Sequence, residues 1–213
     1  MSSVIPPDFE LDIKNISSGT PSIQNRCCIV ENSPAVVQLA RETEQEGYDG
    51  IFVTDFDYCG VEACREAVNI PVIGGFRASA YTAMMLSKRF AIITILKSVV
   101  AMQLDHVNSF GLEDNFVGIH SINCPVDQLE NTDIVRKKVF EKSLKAIRSD
   151  GAESIILGCT GFIDIADAVS DMLTKEIGSY VPVTDPNRVA VGYLAMLVRS
   201  GLRQSRLSYS KSE

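Results

Sequence analysis

The nine residues Gly47-Tyr48-Asp49-Gly50-Ile51-Phe52-Val53-Thr54-Asp55 align without a gap on Gly151-Ala152-Glu153-Ser154-Ile155-Ile156-Leu157-Gly158-Cys159. Each stretch runs from a glycine turn through a short apolar run to a side chain able to carry a proton. The match continues on both sides. Ile70-Pro71-Val72-Ile73 corresponds to Val181-Pro182-Val183-Thr184, Arg77 to Arg188, and residues 9–13 to residues 116–120. Self-similarity of this kind marks a duplicated structural unit. Short apolar strands alternate with helical patterns in both halves, which calls for parallel sheets flanked by helices. The expectation is an α/β fold of two pseudo-symmetric lobes, residues 1–87 with 185–213 and residues 88–184. Each lobe would offer the end of its middle strand to a shared active-site cleft, Asp55 from the first and Cys159 from the second.

The repeat also defines what the first lobe should lack. The second lobe opens with a strand at 90–94 and a helix at 99–110 before its 116–119 strand. Only eight residues precede Phe9, so the first lobe is expected to be without its opening strand and helix. Elsewhere, residues 9–13 alternate like a strand, and Ser33-Pro34 looks like a helix start, with serine as cap and proline in the first turn. The polar tail after Gly201 reads as frayed.

Composition narrows the function. A chain of 213 residues that is 46% hydrophobic can bury one good core or two small ones. A net charge of -7 argues against nucleic acid and against an anionic membrane surface as partners. No apolar run is long enough to span a bilayer, and Met1-Ser2-Ser3-Val4-Ile5-Pro6-Pro7 does not read as a signal peptide. Six cysteines without a secretory signal imply free thiols in a reducing compartment, hence a cytoplasmic protein. The two histidines, His106 and His120, lie far apart, and no Cys/His spacing suggests a metal site.

Chemistry centres on Glu153-Ser154-Ile155-Ile156-Leu157-Gly158-Cys159-Thr160-Gly161-Phe162. A buried strand followed by Gly-Cys-Thr-Gly and a helical pattern from Asp164 puts a thiol where a strand ends and a helix begins. Unpaired amides and the helix dipole would there favour thiolate. Two acid/base groups facing one small ligand can remove a proton from one face of a carbon and return it to the other. The enolate formed beside a carboxylate or amide is stabilised by backbone N–H groups such as those following Cys159 and Asp55. No phosphate loop or Schiff-base lysine is evident, so no cofactor is called for. The expected partner is a small-molecule substrate, and a homo-oligomer is compatible with the sequence.

These residues resemble the aspartate/glutamate/hydantoin racemase superfamily, and within it the hydantoin and allantoin racemases, over residues from about 8 to 201. Leu157-Gly158-Cys159-Thr160-Gly161-Phe162 is similar to the family's second catalytic-cysteine motif. Gly19-Thr20-Pro21-Ser22-Ile23, Ile70-Pro71-Val72-Ile73-Gly74 with Ala78-Ser79, Arg89-Phe90 through Thr94, and Thr184-Asp185-Pro186 support the likeness. The resemblance implies a cofactor-independent enzyme in which two cysteines act as opposed acid/base groups. Ser22, Ile23, Thr54, Phe56, Ser79, Thr94, Thr160 and Gly161 would line the substrate pocket. The chain departs from the pattern where the first cysteine should stand: an ungapped match puts Asp55 there, with Cys59 four residues on as the lesser alternative. Racemisation or epimerisation of a hydantoin-like or amino-acid-like molecule through Cys159 and Asp55 is the leading expectation. A malonate-type lyase, a maleate-type cis–trans isomerase and a non-catalytic ligand-binding relative are the alternatives.

Overall fold

The structure, a computed structural model, describes residues 4–211. The chain divides into two compact units, residues 1–75 with 187–213 and residues 76–186. The first holds α1 (Arg26–Gln45), β1 (Ile51–Val53), α2 (Val61–Ala67) and β2 (Val72–Gly74). The second holds β3 (Phe90–Thr94), α4 (Lys97–Ser109), β4 (Phe116–Ser121), α5 (Thr132–Lys145), β5 (Ser154–Leu157), α6 (Ala166–Ile177) and β6 (Val183–Thr184). The helix that follows each unit's last strand packs with the other unit. α3 (Gly75–Leu86), after β2, belongs to the second, and α7 (Pro186–Arg199), after β6, to the first. The division therefore falls ahead of α3, not after it at residue 87.

Every strand pairing is parallel. The second unit's sheet has the order β4-β3-β5-β6, and its central strand β3 is completely buried, as is β5. That burial is why Phe90-Ala91-Ile92-Ile93 and Ile155-Ile156-Leu157 are uninterrupted apolar runs instead of alternating ones. The first unit has the two-stranded sheet β1-β2, and its β1 is only half-buried.

The internal repeat extends to strand register. β1 pairs with β2 through Ile51↔Val72 and Phe52↔Ile73, and β5 pairs with β6 through Ile155↔Val183 and Ile156↔Thr184. These are the pairs that the aligned sequences superpose. The first ladder bond is duplicated as well: Ile51 N–H donates to the Pro71 carbonyl at 2.9 Å, and Ile155 N–H to the Pro182 carbonyl at 3.0 Å.

Three local expectations are corrected. Residues 9–13 form no strand, because Leu11 and Ile13 face solvent and no buried face fixes a register. The segment is instead held by polar side chains: Tyr48 OH donates to Asp12 at 2.6 Å, and ion pairs link Lys14 to Glu46 and Arg199 to Asp8. Helix α1 starts well before Ser33, capped by Asn25, whose side chain accepts the Cys28 N–H at 3.0 Å. Pro34 lies inside the helix, and the Ser33 hydroxyl turns back to the Ile29 carbonyl at 2.6 Å instead of capping. The tail after Gly201 is ordered through Tyr209 by bonds to the end of α2, described below. Among the described residues, no helix is long and apolar enough to cross a membrane.

Candidate active site

The second unit builds Cys159 on a buried polar support. Beyond β5 the Gly158 N–H continues the ladder to the Ile93 carbonyl at 2.7 Å. Its own carbonyl accepts from Thr94 Oγ1 at 3.1 Å and from Gln103 Nε2 at 3.0 Å, and Gln103 Nε2 also donates to Thr94 Oγ1 at 3.1 Å. Thr94 and Gln103 have no exposed surface. The last peptide before Cys159 is thereby fixed in a low-dielectric setting where each bond restrains strongly. Thr94, expected to line a substrate pocket, is buried and holds the Gly158 carbonyl. A β-carbon at Gly158 would lie 2.6 Å from Ile92 Cγ2 and 3.2 Å from the Ile93 carbonyl oxygen. Gly158→Ala is therefore expected to destabilise the protein by about 1–3 kcal/mol, the usual range for overpacking, as measured by urea denaturation.

Cys159 itself is half-buried, and the Gly161 N–H points at its sulfur at 3.3 Å. The turn is closed by Phe162 N–H donating to the Cys159 carbonyl at 3.2 Å, and the Phe162 ring is buried as its anchor. Gly161 has little room. A β-carbon there would stand 2.9 Å from Leu129 Cδ1 and 3.4 Å from the Cys159 sulfur. The expected helix dipole does not act here: α6 begins only at Ala166, and residues between form turns. A local amide, that of Gly161, faces the sulfur instead. Ser79, another predicted pocket residue, is fully buried in α3 of the same unit.

In the first unit Asp55 occupies the equivalent station after β1. Its Oδ2 accepts the Cys59 N–H at 2.6 Å, and the Asp57 backbone also bonds to its carboxylate. The bond from the second residue onward reproduces that between Gly161 and Cys159. Burial pushes the Asp55 carboxyl above its ordinary range, and the two backbone bonds pull the other way without cancelling it. Thr54 is exposed and Phe56 is buried. Tyr58 has φ 66°, a left-handed backbone that an aromatic residue rarely adopts, and Gly60 at φ 71° caps α2.

Cys59 has a different setting from Cys159. It is buried, its thiol donates to the Ile29 carbonyl at 3.5 Å, and Ser33 Oγ lies at 3.6 Å. Burial, reinforced by the nearby Asp55 charge, pushes it up to about 11 despite the Ser33 bond. Cys64 is buried with its thiol toward the Val36 carbonyl and is pushed up to about 12, mainly by burial. Both thiols face α1.

Ser22 and Ile23 lie in the loop before α1, half-buried. That loop is tied down by Asn32, buried in α1. Asn32 Oδ1 accepts the Thr20 N–H at 2.8 Å, and Asn32 Nδ2 donates to Thr20 Oγ1 at 2.6 Å and to the Cys28 carbonyl at 2.7 Å. The 20–23 loop and the Asp55 loop thus rest on neighbouring turns of one helix. Sequence reading missed Asn32, Gln103 and Leu129. Gln103 carried a faint signal, a carboxamide among the otherwise apolar inward positions of α4, and Asn32 carried less, since α1 also buries Thr43. Leu129 carried none. Among the described residues, no group of three or more His, Cys, Asp or Glu side chains is arranged to hold a metal ion.

Known proteins bear on this geometry. Residues 1–194 match the model of the family described as Asp/Glu/Hydantoin racemase. A hydantoin racemase of Pseudomonas sp. (strain NS671) is 31% identical over 84% of this chain and 70% of its own length. The structure of an allantoin racemase from Klebsiella pneumoniae superposes with a TM-score of 0.89 at 28% identity, covering 100% of this chain and 85% of that one. The allantoin racemase of Pseudomonas fluorescens gives 0.88 at 25% identity, covering 100% and 88%. The doubled strand register, the Leu-Gly-Cys-Thr-Gly turn and these likenesses agree: the chain belongs to the Asp/Glu/hydantoin racemase family and is an isomerase of the racemase type.

Proposed function

We propose that this protein racemises or epimerises a hydantoin-like or amino-acid-like small molecule without a cofactor, by moving a proton at an acidic carbon. Cys159 is one acid/base group, and Asp55 is the other. The observation that carries the reading is the Cys159 turn: a half-buried thiol on a rigid buried support, with the Gly161 amide 3.3 Å from its sulfur. An N–H so placed stabilises the thiolate that must accept a proton, and neighbouring amides can serve an enolate oxygen. Asp55 is favoured over Cys59 because its burial draws a carboxyl toward neutrality, where an acid/base catalyst works best, whereas Cys59 stays a thiol bonded to α1. The named activities of the similar proteins, hydantoin and allantoin racemase, indicate the substrate class.

The test is α-proton exchange in D2O followed by NMR, with D- and L-5-substituted hydantoins, allantoin and aspartate. Exchange of the α-proton together with loss of optical rotation is the expected outcome. A protein that exchanges none of these substrates would overturn the reading. One observation favours a second possibility: the pair is unequal, a carboxyl and a thiol, and unequal pairs suit one-directional chemistry. Release of carbon dioxide from an arylmalonate without racemase activity would favour a lyase.

A further inference from the structure

The loop that carries Asp55 is strained, and its support comes from a distant part of the sequence. Tyr58 adopts φ 66°, a conformation that persists only where surroundings over-determine it. Its ring is buried against Gly74, where an added β-carbon would meet Tyr58 Cε2 at 2.7 Å. Over the ring lies the guanidinium of Arg65, 5.7 Å from the centroid. Arg65 is a buried cation held by several partners. It donates through Nε to the Val72 carbonyl at 3.1 Å, and through Nη1 to Glu62 at 2.8 Å and to Tyr209 OH at 3.2 Å. The Tyr209 ring covers it at 5.5 Å.

Tyr209 is in turn fixed by the C-terminal segment. Gln204 Nε2 reaches the carbonyls of Arg65 and Val68 at 3.2 and 2.8 Å, acceptors that α2 leaves open at its end, and that of Ile70 just beyond at 3.0 Å. Arg206 Nη1 bonds to the carbonyls of Arg65 at 2.9 Å and Tyr209 at 3.0 Å, and Nη2 to the Val68 carbonyl and to Asn69 Oδ1. A continuous path thus leads from residues 204–209 through Arg65 to Tyr58. The next residue, Cys59, donates the N–H held by the Asp55 carboxylate.

We infer that the C-terminal segment braces the Asp55 loop, with Tyr209 and Arg65 as positioning residues for that carboxylate. The inference rests on the proposed role of Asp55 for its catalytic meaning, while the bracing itself has a separate readout. If Tyr209 is removed, Arg65 loses a face and a bond, the Tyr58 backbone can relax, and the Cys59 amide leaves Asp55. Displacement of a catalytic group by an ångström is enough to slow a reaction by one to two orders of magnitude, about 10–100-fold.

The experiment compares Tyr209→Ala, Tyr209→Phe and the wild-type full chain. Two quantities are read: kcat and its pH profile for α-proton exchange, and the rate at which iodoacetamide labels Cys59 and Cys64, located by peptide mass mapping. In Tyr209→Ala kcat is expected to fall about tenfold or more with KM changed less than about twofold, and the acidic limb of the pH profile to move. Cys59 labelling should accelerate about tenfold while Cys64 stays protected, showing that the loop has opened and the unit has not unfolded. Tyr209→Phe, which keeps the ring stack, should recover most of the loss. Wild-type kcat and pH profile in Tyr209→Ala would overturn the inference, whatever the labelling. If the wild-type protein exchanges no α-proton, labelling decides alone: unchanged Cys59 protection in Tyr209→Ala overturns the brace, and selective exposure supports it.

Discussion

Cys159→Ser is expected to abolish racemisation, with the rate falling about 10³-fold or more, because a hydroxyl cannot hold the charge that the thiolate carries at neutral pH. The loss should be unequal between enantiomers. If Cys159 serves one face of the carbon and Asp55 the other, the variant still contains the second group. One enantiomer should keep exchanging its α-proton with solvent slowly, the other should stop, and neither should invert. NMR of each pure enantiomer in D2O reads this directly. Stability should change little, because the sulfur is only half-buried and the Gly161 amide that points at it can also engage a serine oxygen. Urea denaturation of both proteins separates a chemical defect from a folding one. Racemisation by Cys159→Ser within about threefold of wild type would remove this residue from the mechanism.

The second large effect is expected at Asp55, and it couples activity to stability with opposite signs. Asp55→Asn removes the ionisable group but keeps an oxygen for the Cys59 N–H. Racemisation should fall about 10²–10⁴-fold, the range for loss of a general acid/base, and the surviving exchange should belong to the enantiomer that Cys159→Ser silences. The stability effect follows from the titration. The carboxyl's ordinary value is 3.8, and burial raises it in the folded protein. A raised carboxyl favours folding fully below 3.8 and loses that contribution as pH rises through the folded value. The variant lacks the ionisation that burial disfavours, so its stability relative to the wild type should rise with pH. Asp55→Asn should melt about 2–4 °C higher at pH 7, the shift produced by roughly 1 kcal/mol in a chain of this size. That difference should shrink toward zero as pH is lowered below 4. A variant that melts no higher at pH 7, or that racemises normally, would argue that Asp55 is an ordinary loop carboxylate.

The opposite signs describe a site maintained at the expense of the fold. Tyr58 in a left-handed backbone and the Asp55 carboxyl raised by burial each cost stability, and Gly161 leaves little room for a side chain beside Cys159. Strain of this kind concentrates at functional sites because surrounding packing can hold it there. The buried knot of Thr94 and Gln103 under Gly158 is the second unit's means of holding it. In the first unit the Arg65 stack and the C-terminal segment do so.

How far the sequence alone reached follows from the range of the interactions involved. Patterns that act over a few residues were legible: the buried runs of β3 and β5, the glycines around Cys159, and the parallel α/β class. The duplicated stretch went further. It anticipated that the two units would be built alike, and they share one strand register at the aligned pairs Ile51↔Val72 and Ile155↔Val183. Asp55 was likewise selected by its alignment with Cys159. Tertiary structure decided what depends on partners remote in the chain. Residues 9–13 alternate like a strand yet pair with no strand and bury no apolar face. Ser33-Pro34 has the chemistry of a helix start, but Asn25 caps the helix first. The thiol expected to owe its setting to a helix dipole faces the Gly161 amide of its own turn, since α6 begins late. The tail that composition marks as frayed is ordered because Gln204 and Arg206 meet the open carbonyls of α2, more than 130 residues away.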